Sequence, residues 1–478
     1  MLLWLSVCAS TKRDSRSESK KGTARSKRSA MSKFFVYTFG CRCNQADSAA
    51  IREGLCRSSM REAENSLDAE LVVINTCTVT QRTDRQIRQM VRRVHRENPH
   101  ARMAVTGCYA ERDPLALAAI PGVSLVIGNA DKDRLAALVS EESPQTPGKV
   151  IRSRFDAGRD YLIPPMFRLG GRTRPFLKIQ DGCDARCSYC IVPTVRGPGR
   201  SAKPEDILAE VGRLIRLGYQ EIVVTGVHLG TYGNKLSRRT GLVELLKRIL
   251  ETPGLGRLRL SSIEPMSFSQ GIVDLASTYR NFAPHFHIPM QSGSDRILRK
   301  MRRPYTALRF LELLEHIRAK LPAAGLGTDV IAGFPGETDR DFEKTCELIR
   351  DSPLTYVHVF PFSAREGTDA YEMTDRVADP VIYERARMLR ALSHEKDFAF
   401  RRSLLGRVLP AISLSKEEEA GEFVALTDNY IPVCMPRMPV PPNRLIEIQV
   451  REVERDATYG AFASETNLMA QNETTDEH

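Results

Sequence analysis

Three apolar runs near the start of the chain, at 34–39, 71–77 and 104–108, each have the length and character of a buried strand. Each runs into a turn that carries a cysteine: Gly40-Cys41, Thr76-Cys77 and Gly107-Cys108. Helical patterns lie between them, including 84–96, where Ile87, Val91 and Val94 share one face. Strand–helix alternation of this kind predicts a parallel α/β domain over 33–140. Residues 141–172 are rich in Ser, Pro, Gly and Arg and read as a linker. Alternation then resumes over 173–398. Strands are expected at 176–179, 221–225, 257–261, 286–290, 327–331 and 355–360, with helices at 204–217, 242–250, 307–320 and 339–352. About six βα units predict a partial (β/α)6 barrel, whose reactive residues collect at the strand C-termini. Beyond 399 the period shortens. Segments 409–414, 421–427, 430–435 and 445–453, joined by Pro- or Gly-bearing loops, predict a small C-terminal β-barrel over 399–467. Residues 468–478 read as a polar tail.

Charge changes this picture little. Residues 1–32 hold eight Lys/Arg against Asp14 and Glu18, so this segment supplies +6 of the net +11. It is expected to be a disordered basic extension. The rest is mildly basic, and bulk charge alone is weak support for RNA binding. The apolar run 1–9 is too short to span a bilayer and lacks the basic segment that opens a secretory signal. No membrane association is expected. Eleven cysteines scattered through 478 residues do not resemble a small secreted disulfide scaffold. They suit a reducing cytoplasm with metal-bound and free thiols.

The most informative word is Cys183-x3-Cys187-x2-Cys190, directly after the first barrel strand. A cubane iron–sulfur cluster normally takes four thiolates. Three thiolates from one loop leave one iron open to a substrate or cofactor, as at other catalytic metal sites. A structural zinc loop would show a second Cys/His pair, and none stands nearby. The cysteines ending the N-terminal strands, Cys41, Cys77 and Cys108, can converge on one sheet edge. Buried bystander cysteines are common, so spacing leaves both a second metal site and three plain thiols open.

With these motifs the chain resembles the radical S-adenosylmethionine (SAM) methylthiotransferase family over nearly all of 33–467. The matching words are Gly40-Cys41-x-x-Asn44-Gln45, Asn75-Thr76-Cys77, Gly107-Cys108-Tyr109, the central triplet, His287-Ile288-Pro289-Met290-Gln291-Ser292-Gly293-Ser294, and Asp329-Val330-Ile331-Ala332-Gly333-Phe334-Pro335-Gly336-Glu337-Thr338. The C-terminal segment with Thr427-Asp428-Asn429-Tyr430 looks like the family's RNA-binding TRAM domain. The resemblance implies two 4Fe–4S clusters. Cys183, Cys187 and Cys190 would hold the one that binds and cleaves SAM; Cys41, Cys77 and Cys108 would hold an auxiliary one carrying the sulfur donor. It also implies a tRNA anticodon arm as substrate, an electron donor such as flavodoxin or ferredoxin, and a separate sulfur donor. The words at Asn44-Gln45, 225–230 and 261–265 resemble the branch acting on C2 of N6-threonylcarbamoyladenosine at tRNA position 37. The alternatives are the isopentenyladenosine of a sister branch, an aspartate of a ribosomal protein, and a non-catalytic electron carrier.

Cys43 departs from the family, which more often has an apolar residue there; the Gly-Cys context favours Cys41 as the ligand. Gly226, His228, Glu264, Gln291, Asp329, Gly333 and Gly336 are the expected SAM contacts. Each also has a plainer reading. A tight βα turn needs Gly333 and Gly336 anyway; His228 can be a polar rim residue; Glu264 can pair structurally. Arg82, Arg85, Arg88, Arg92, Arg93 and Arg96 stud one predicted helix and read as a solvated face or, in part, as phosphate contacts.

Overall fold

The computed structural model describes residues 32–141, 148–155, 161, 163, 173–237, 240–417, 423–435 and 440–465. Residues 1–31 of the expected basic extension, most of the linker, and the polar tail lie outside them.

The N-terminal sheet is built from β1 (Lys33–Thr38), β2 (Arg61–Glu62), β3 (Leu71–Thr76), β4 (Arg102–Gly107), β5 (Val123–Ile127) and β6 (Lys149–Ile151). Its order is β2-β1-β3-β4-β5-β6 and every pairing is parallel. All six residues of β3 are buried, as expected of a strand covered on both faces. Helices α1 (Arg42–Arg57), α2 (Gln81–Glu97) and α3 (Cys108–Arg112) follow β1, β3 and β4. Helix α2 buries Ile87, Val91 and Val94, and its N-cap Thr80 accepts from the amide of Thr83. Strand β6 falls within the stretch that its composition marks as a linker.

The central domain is an open arc of parallel strands, β7 (Phe176–Asp181), β9 (Glu221–Gly226), β10 (Arg257–Leu260), β11 (His285–His287), β12 (Gly325–Ala332) and β13 (Tyr356–Pro361), with the short β8 (Arg200–Ser201) antiparallel to β7. Pairing runs β10-β9-β7 and β11-β12-β13, and a parallel bridge between Ser262 and His287 joins the two halves. This is the expected partial (β/α)6 barrel. Its outer face is apolar: Leu177, Ile179, Ile222, Val224, Leu258, Leu260, Phe286, Leu326 and Val357 pack in one core with the surrounding helices. Strand alternation therefore turns Lys178, Gln180, Glu221, Thr225, Arg257, Arg259, His285, His287, Asp329, Tyr356 and His358 to the inner face.

Strands β14 (Val408–Glu417), β15 (Phe423–Thr427), β16 (Pro432–Met435), β17 (Leu445–Val453) and β18 (Thr458–Glu465) close into the C-terminal barrel. It docks at the strand N-termini of the central arc. Asn429 Nδ2 donates to the Ala323 carbonyl (3.0 Å), Asn443 Nδ2 to Gly218 (2.7 Å), and Arg259 Nη1 to Asp428 (2.7 Å). Among the described residues no helix is long and apolar enough to cross a membrane.

Candidate active site

Cys41, Cys77 and Cys108 follow adjacent parallel strands, so the sheet itself delivers them to one edge. Two glycines make the approach possible. Gly40 and Gly107 have φ of 100° and 98°, the region that disfavours side chains. A Cβ on Gly40 would lie 2.5 Å from Cys77 Cβ, and one on Gly107 2.3 Å from the Thr76 carbonyl oxygen. The family words around them tie the loops together. Asn44 Nδ2 donates to the carbonyls of Phe39 (2.7 Å) and Thr76 (2.8 Å). Asn75 Nδ2 donates to Asn44 O and Ser48 Oγ, both at 2.9 Å. Thr76 Oγ1 donates to the Thr106 carbonyl (2.6 Å) and accepts from the amides of Tyr109 and Ala110.

Burial pushes the Cys77 thiol up, and the neighbouring Cys108 and Cys41 push it further. Cys41 is the acidic member: a hydrogen bond from Cys43 outweighs burial, Arg196 adds to it, and the thiol is pulled down to about 5. Its partner Cys43 is driven up by that same bond and by burial. Cys43 sits inside α1 with Sγ 3.9 Å from Thr225 Oγ1 of the barrel. Asn129 Nδ2 lies 3.8 Å from Cys108 Sγ and donates to the Val195 carbonyl at 2.6 Å.

Arg196 belongs to a buried ion cluster that clasps α1 to the barrel. Its guanidinium bonds Asp181 Oδ1 (2.8 Å), Asp47 Oδ2 (3.1 Å) and Asn44 Oδ1. Lys178 pairs with Asp47 and with Asp181 (2.8 Å), and Lys132 with Asp47 (2.7 Å). Burial opposes these charges, but Lys132, Lys178 and Arg196 together hold the Asp47 carboxyl well below its usual range. Broken pairs of this kind are costly, since they leave a buried charge without a counterion.

Cys183, Cys187 and Cys190 lie in the loop after β7, at the C-terminal end of the arc. Cys183 Sγ is 3.5 Å from His228 Nδ1, and Arg303 Nη1 donates to Cys187 Sγ at 3.2 Å. Burial pushes the Cys190 thiol up to about 12 and also raises Cys183. Burial, and then Arg303, lower the His228 pKa, and its Nε2 is 3.2 Å from Ser267 Oγ. Glu264 pairs with Arg303, and the Arg303 guanidinium is 5.0 Å from the centre of the Tyr305 ring. Three half-buried thiols on one loop, with a cation and an imidazole at their sulfurs, fit a cluster held by three cysteines. The set at Cys41, Cys77 and Cys108, with Arg196 and Asn129 beside it, has the same chemistry.

The other expected residues spread along the interior. A Cβ on Gly226 would lie 3.1 Å from Gln180 Cβ and Oε1, and that Oε1 accepts from the His228 N–H at 2.8 Å. Gln291 is buried at φ 69°, its N–H donating to the Asp329 carbonyl (2.8 Å). The Asp329 carboxylate lies 2.9 Å from His287 Nε2 and 3.4 Å from His358 Nδ1. Burial would raise its pKa; the two imidazoles outweigh that and hold it below the usual carboxylate range. At Gly333 the space of a Cβ is taken by Ile382, and at Gly336 by Asp375 and Lys300. Protein packing therefore accounts for both glycines.

Two family models match in the same order as these sites: "Uncharacterized protein family UPF0004" over 33–128 and "Radical SAM superfamily" over 177–349. The chain is 34% identical over 433 residues to "Threonylcarbamoyladenosine tRNA methylthiotransferase MtaB" of Bacillus subtilis, covering 89% of this chain and 95% of the relative. The chain belongs to the MtaB-type radical-SAM methylthiotransferases. "tRNA-2-methylthio-N(6)-dimethylallyladenosine synthase" of Pelotomaculum thermopropionicum is 31% identical over 408 residues, covering 82% and 89%. The radical SAM methyltransferase TsrM of Kitasatospora setae shares the fold at TM-score 0.51 and 15% identity, covering 69% of this chain and 73% of that one. Membership brings SAM and a 4Fe–4S cluster as cofactors of this MtaB-type enzyme. The ion cluster, Arg303 and the polar barrel interior were not singled out by sequence patterns. An inner-face signal exists in Arg257-Leu258-Arg259-Leu260 and His285-Phe286-His287, where polar and apolar residues alternate in strands expected to be buried on both faces.

Proposed function

We propose that this chain places a methylthio group on C2 of N6-threonylcarbamoyladenosine at tRNA position 37. The reading rests on one juxtaposition: the three-cysteine loop follows β7, and the second three-cysteine edge is tied to that same strand through Arg196 and α1, in a chain of the MtaB type. C2 carries hydrogen and no leaving group, so acid–base side chains alone cannot functionalise it. When bound, the clusters and SAM supply the radical and sulfur chemistry that can. The protein supplies placement. Cys183, Cys187 and Cys190 hold the SAM-binding cluster, with Arg303 balancing charge at the Cys187 sulfur and the His228 ring beside the Cys183 sulfur. Cys41, Cys77 and Cys108 hold an auxiliary 4Fe–4S cluster. Gly226, His228, Gln291 and Asp329 line the SAM position, while Glu264 acts through Arg303; Gly333 and Gly336 shape the adjoining turn. The chemistry consumes electrons and sulfur, so the reading includes an electron donor such as flavodoxin or ferredoxin, a sulfur donor, and a reducing cytoplasm. Reconstituted enzyme with SAM, reductant and a sulfur source is expected to modify tRNA bearing threonylcarbamoyladenosine and largely ignore tRNA bearing isopentenyladenosine, read as nucleosides by mass spectrometry. Methylthio-isopentenyladenosine as main product would overturn the substrate; a methylthiolated ribosomal peptide with neither RNA product would overturn the RNA reading.

The tRNA backbone is proposed to run along α2 as well as the C-terminal barrel. Arg82, Arg85, Arg92 and Arg96 are exposed, fall on one helical stripe, and have no ion-pair partner among the described residues. Arg88 instead donates to Tyr109 Oη (2.5 Å) and Arg93 pairs with Glu97 (2.8 Å). The stripe runs about 21 Å at the helical rise. It starts at the barrel rim, where Arg365 pairs with Asp84 at 2.8 Å. Changing the four stripe arginines to Ala should weaken tRNA binding and lower the slope of log K against log salt by about 3. An unchanged slope would leave the stripe a solvated face.

A further inference from the structure

The floor of the barrel interior holds more cations than anions. Glu221 takes Arg259 (2.8 Å), Arg174 (3.2 Å) and Arg257 (3.4 Å). The buried Asp428 carboxyl stands near Arg257 and Arg259. Arg42, the first residue of α1 and the neighbour of Cys41, has no carboxylate within ion-pair distance among the described residues. Its polar contact is a hydrogen bond from Nη2 to Tyr430 Oη at 3.2 Å, with the guanidinium 5.8 Å from the ring centre. Tyr430 is held at φ 80°, an uncommon conformation for a non-glycine residue, and stacks on His285 with ring centres 4.3 Å apart. Because Tyr430 accepts from Arg42, its phenol proton remains available to donate. A guanidinium has five N–H donors, and most of those on Arg42 are unspent in a half-buried setting. That arrangement is suited to a planar anion.

We propose that Arg42, with the Tyr430 hydroxyl, reads the carboxylate of the threonylcarbamoyl group on the substrate base. The inference rests on the substrate proposed above and locates its recognition. Position supports it. The carboxylate of an extended threonylcarbamoyladenosine lies roughly 8 Å from C2, and an arginine head reaches roughly 6 Å from its own Cα, by ordinary bond lengths. A base whose C2 faces the Cys41 edge can therefore set its carboxylate against Arg42. An isopentenyl group at the same place would desolvate Arg42 and return no charge, so the residue discriminates by leaving the wrong substrate's site unpaired.

The test uses tRNA carrying either the free threonylcarbamoyl acid or its methyl ester, with reconstituted wild-type enzyme, Arg42→Gln and Arg42→Lys. Wild type should lose about ten- to hundredfold in kcat/KM on the ester. Arg42→Gln should lose a similar factor on the acid and no longer distinguish acid from ester, while Arg42→Lys keeps part of the preference. Iron per chain should match wild type in both variants. Three results would overturn the inference: Arg42→Gln still preferring the acid; wild type using acid and ester alike while Arg42→Gln weakens both equally, which marks a phosphate contact; or loss of iron in both variants, which marks a structural residue. Wild type inactive on the acid itself, yet active on isopentenyladenosine, would sink the substrate assignment and this inference with it, and is told apart by the wild-type lane alone.

Discussion

Changing Cys183, Cys187 and Cys190 together to Ala is expected to leave about half the iron of the reconstituted protein, because the two 4Fe–4S clusters proposed above would hold about eight irons per chain. SAM cleavage should fall to background. The cysteine loop follows β7, and its sulfurs meet Arg303 and His228 within 3.2 Å and 3.5 Å. The other triplet sits on a separate sheet, so its iron should survive. Folding should survive too, because the loop thiols are half-buried and the barrel core on the outer face does not include them. Iron by elemental analysis and 5′-deoxyadenosine by chromatography check both halves. A triple variant that still cleaves SAM would remove this loop from the chemistry. One that loses all iron would mean that the two sites are not independent.

What the sequence made legible follows the range of the interactions. Strand–helix alternation is local, so the parallel N-terminal sheet, the partial (β/α)6 barrel and the C-terminal β-barrel can all be read from pattern. So can the delivery of three cysteines to one edge, since parallel strands place their C-termini together. Strand β6 was hidden because three residues in a Pro- and Gly-rich stretch carry no periodicity, and their pairing to β5 is long-range. Strand β18 was hidden because Thr458-Tyr459-Gly460-Ala461 is weakly apolar, and its place is set by β17 and β16. The ion cluster around Asp47 was invisible for a stronger reason. Its members are separated by up to 149 positions, and nothing in Ala46-Asp47-Ser48 marks a carboxylate that will be buried against three cations. The same holds for Tyr430: its family word was readable, but not that it reaches the floor of another domain to meet Arg42 and His285.

The two cysteines at the start of α1 should separate cleanly. Cys41→Ala is expected to lose the auxiliary iron and, with it, methylthiolation, while SAM cleavage at the other loop persists. Cys43→Ala should keep the iron. The backbone argues for this. Gly40 brings the Cys41 turn onto Cys77, close enough that a Cβ there would overlap the Cys77 side chain at 2.5 Å. Cys43 is one step inside the helix, with its sulfur toward Thr225 of the barrel. Electrostatics run in the same direction: the bond between the two thiols lowers Cys41 and raises Cys43, and Cys77 is raised by burial and then by Cys108 and Cys41. Removing Cys43 deletes that bond, so the Cys41 thiol should move back up from about 5 and iron uptake in Cys43→Ala should become slower at low pH. The sign follows from ligand binding requiring the deprotonated thiol: a higher pKa leaves less thiolate at any pH below it. Auxiliary iron lost in Cys43→Ala but kept in Cys41→Ala would reverse the ligand choice, and would mean that the helix start turns over when metal binds.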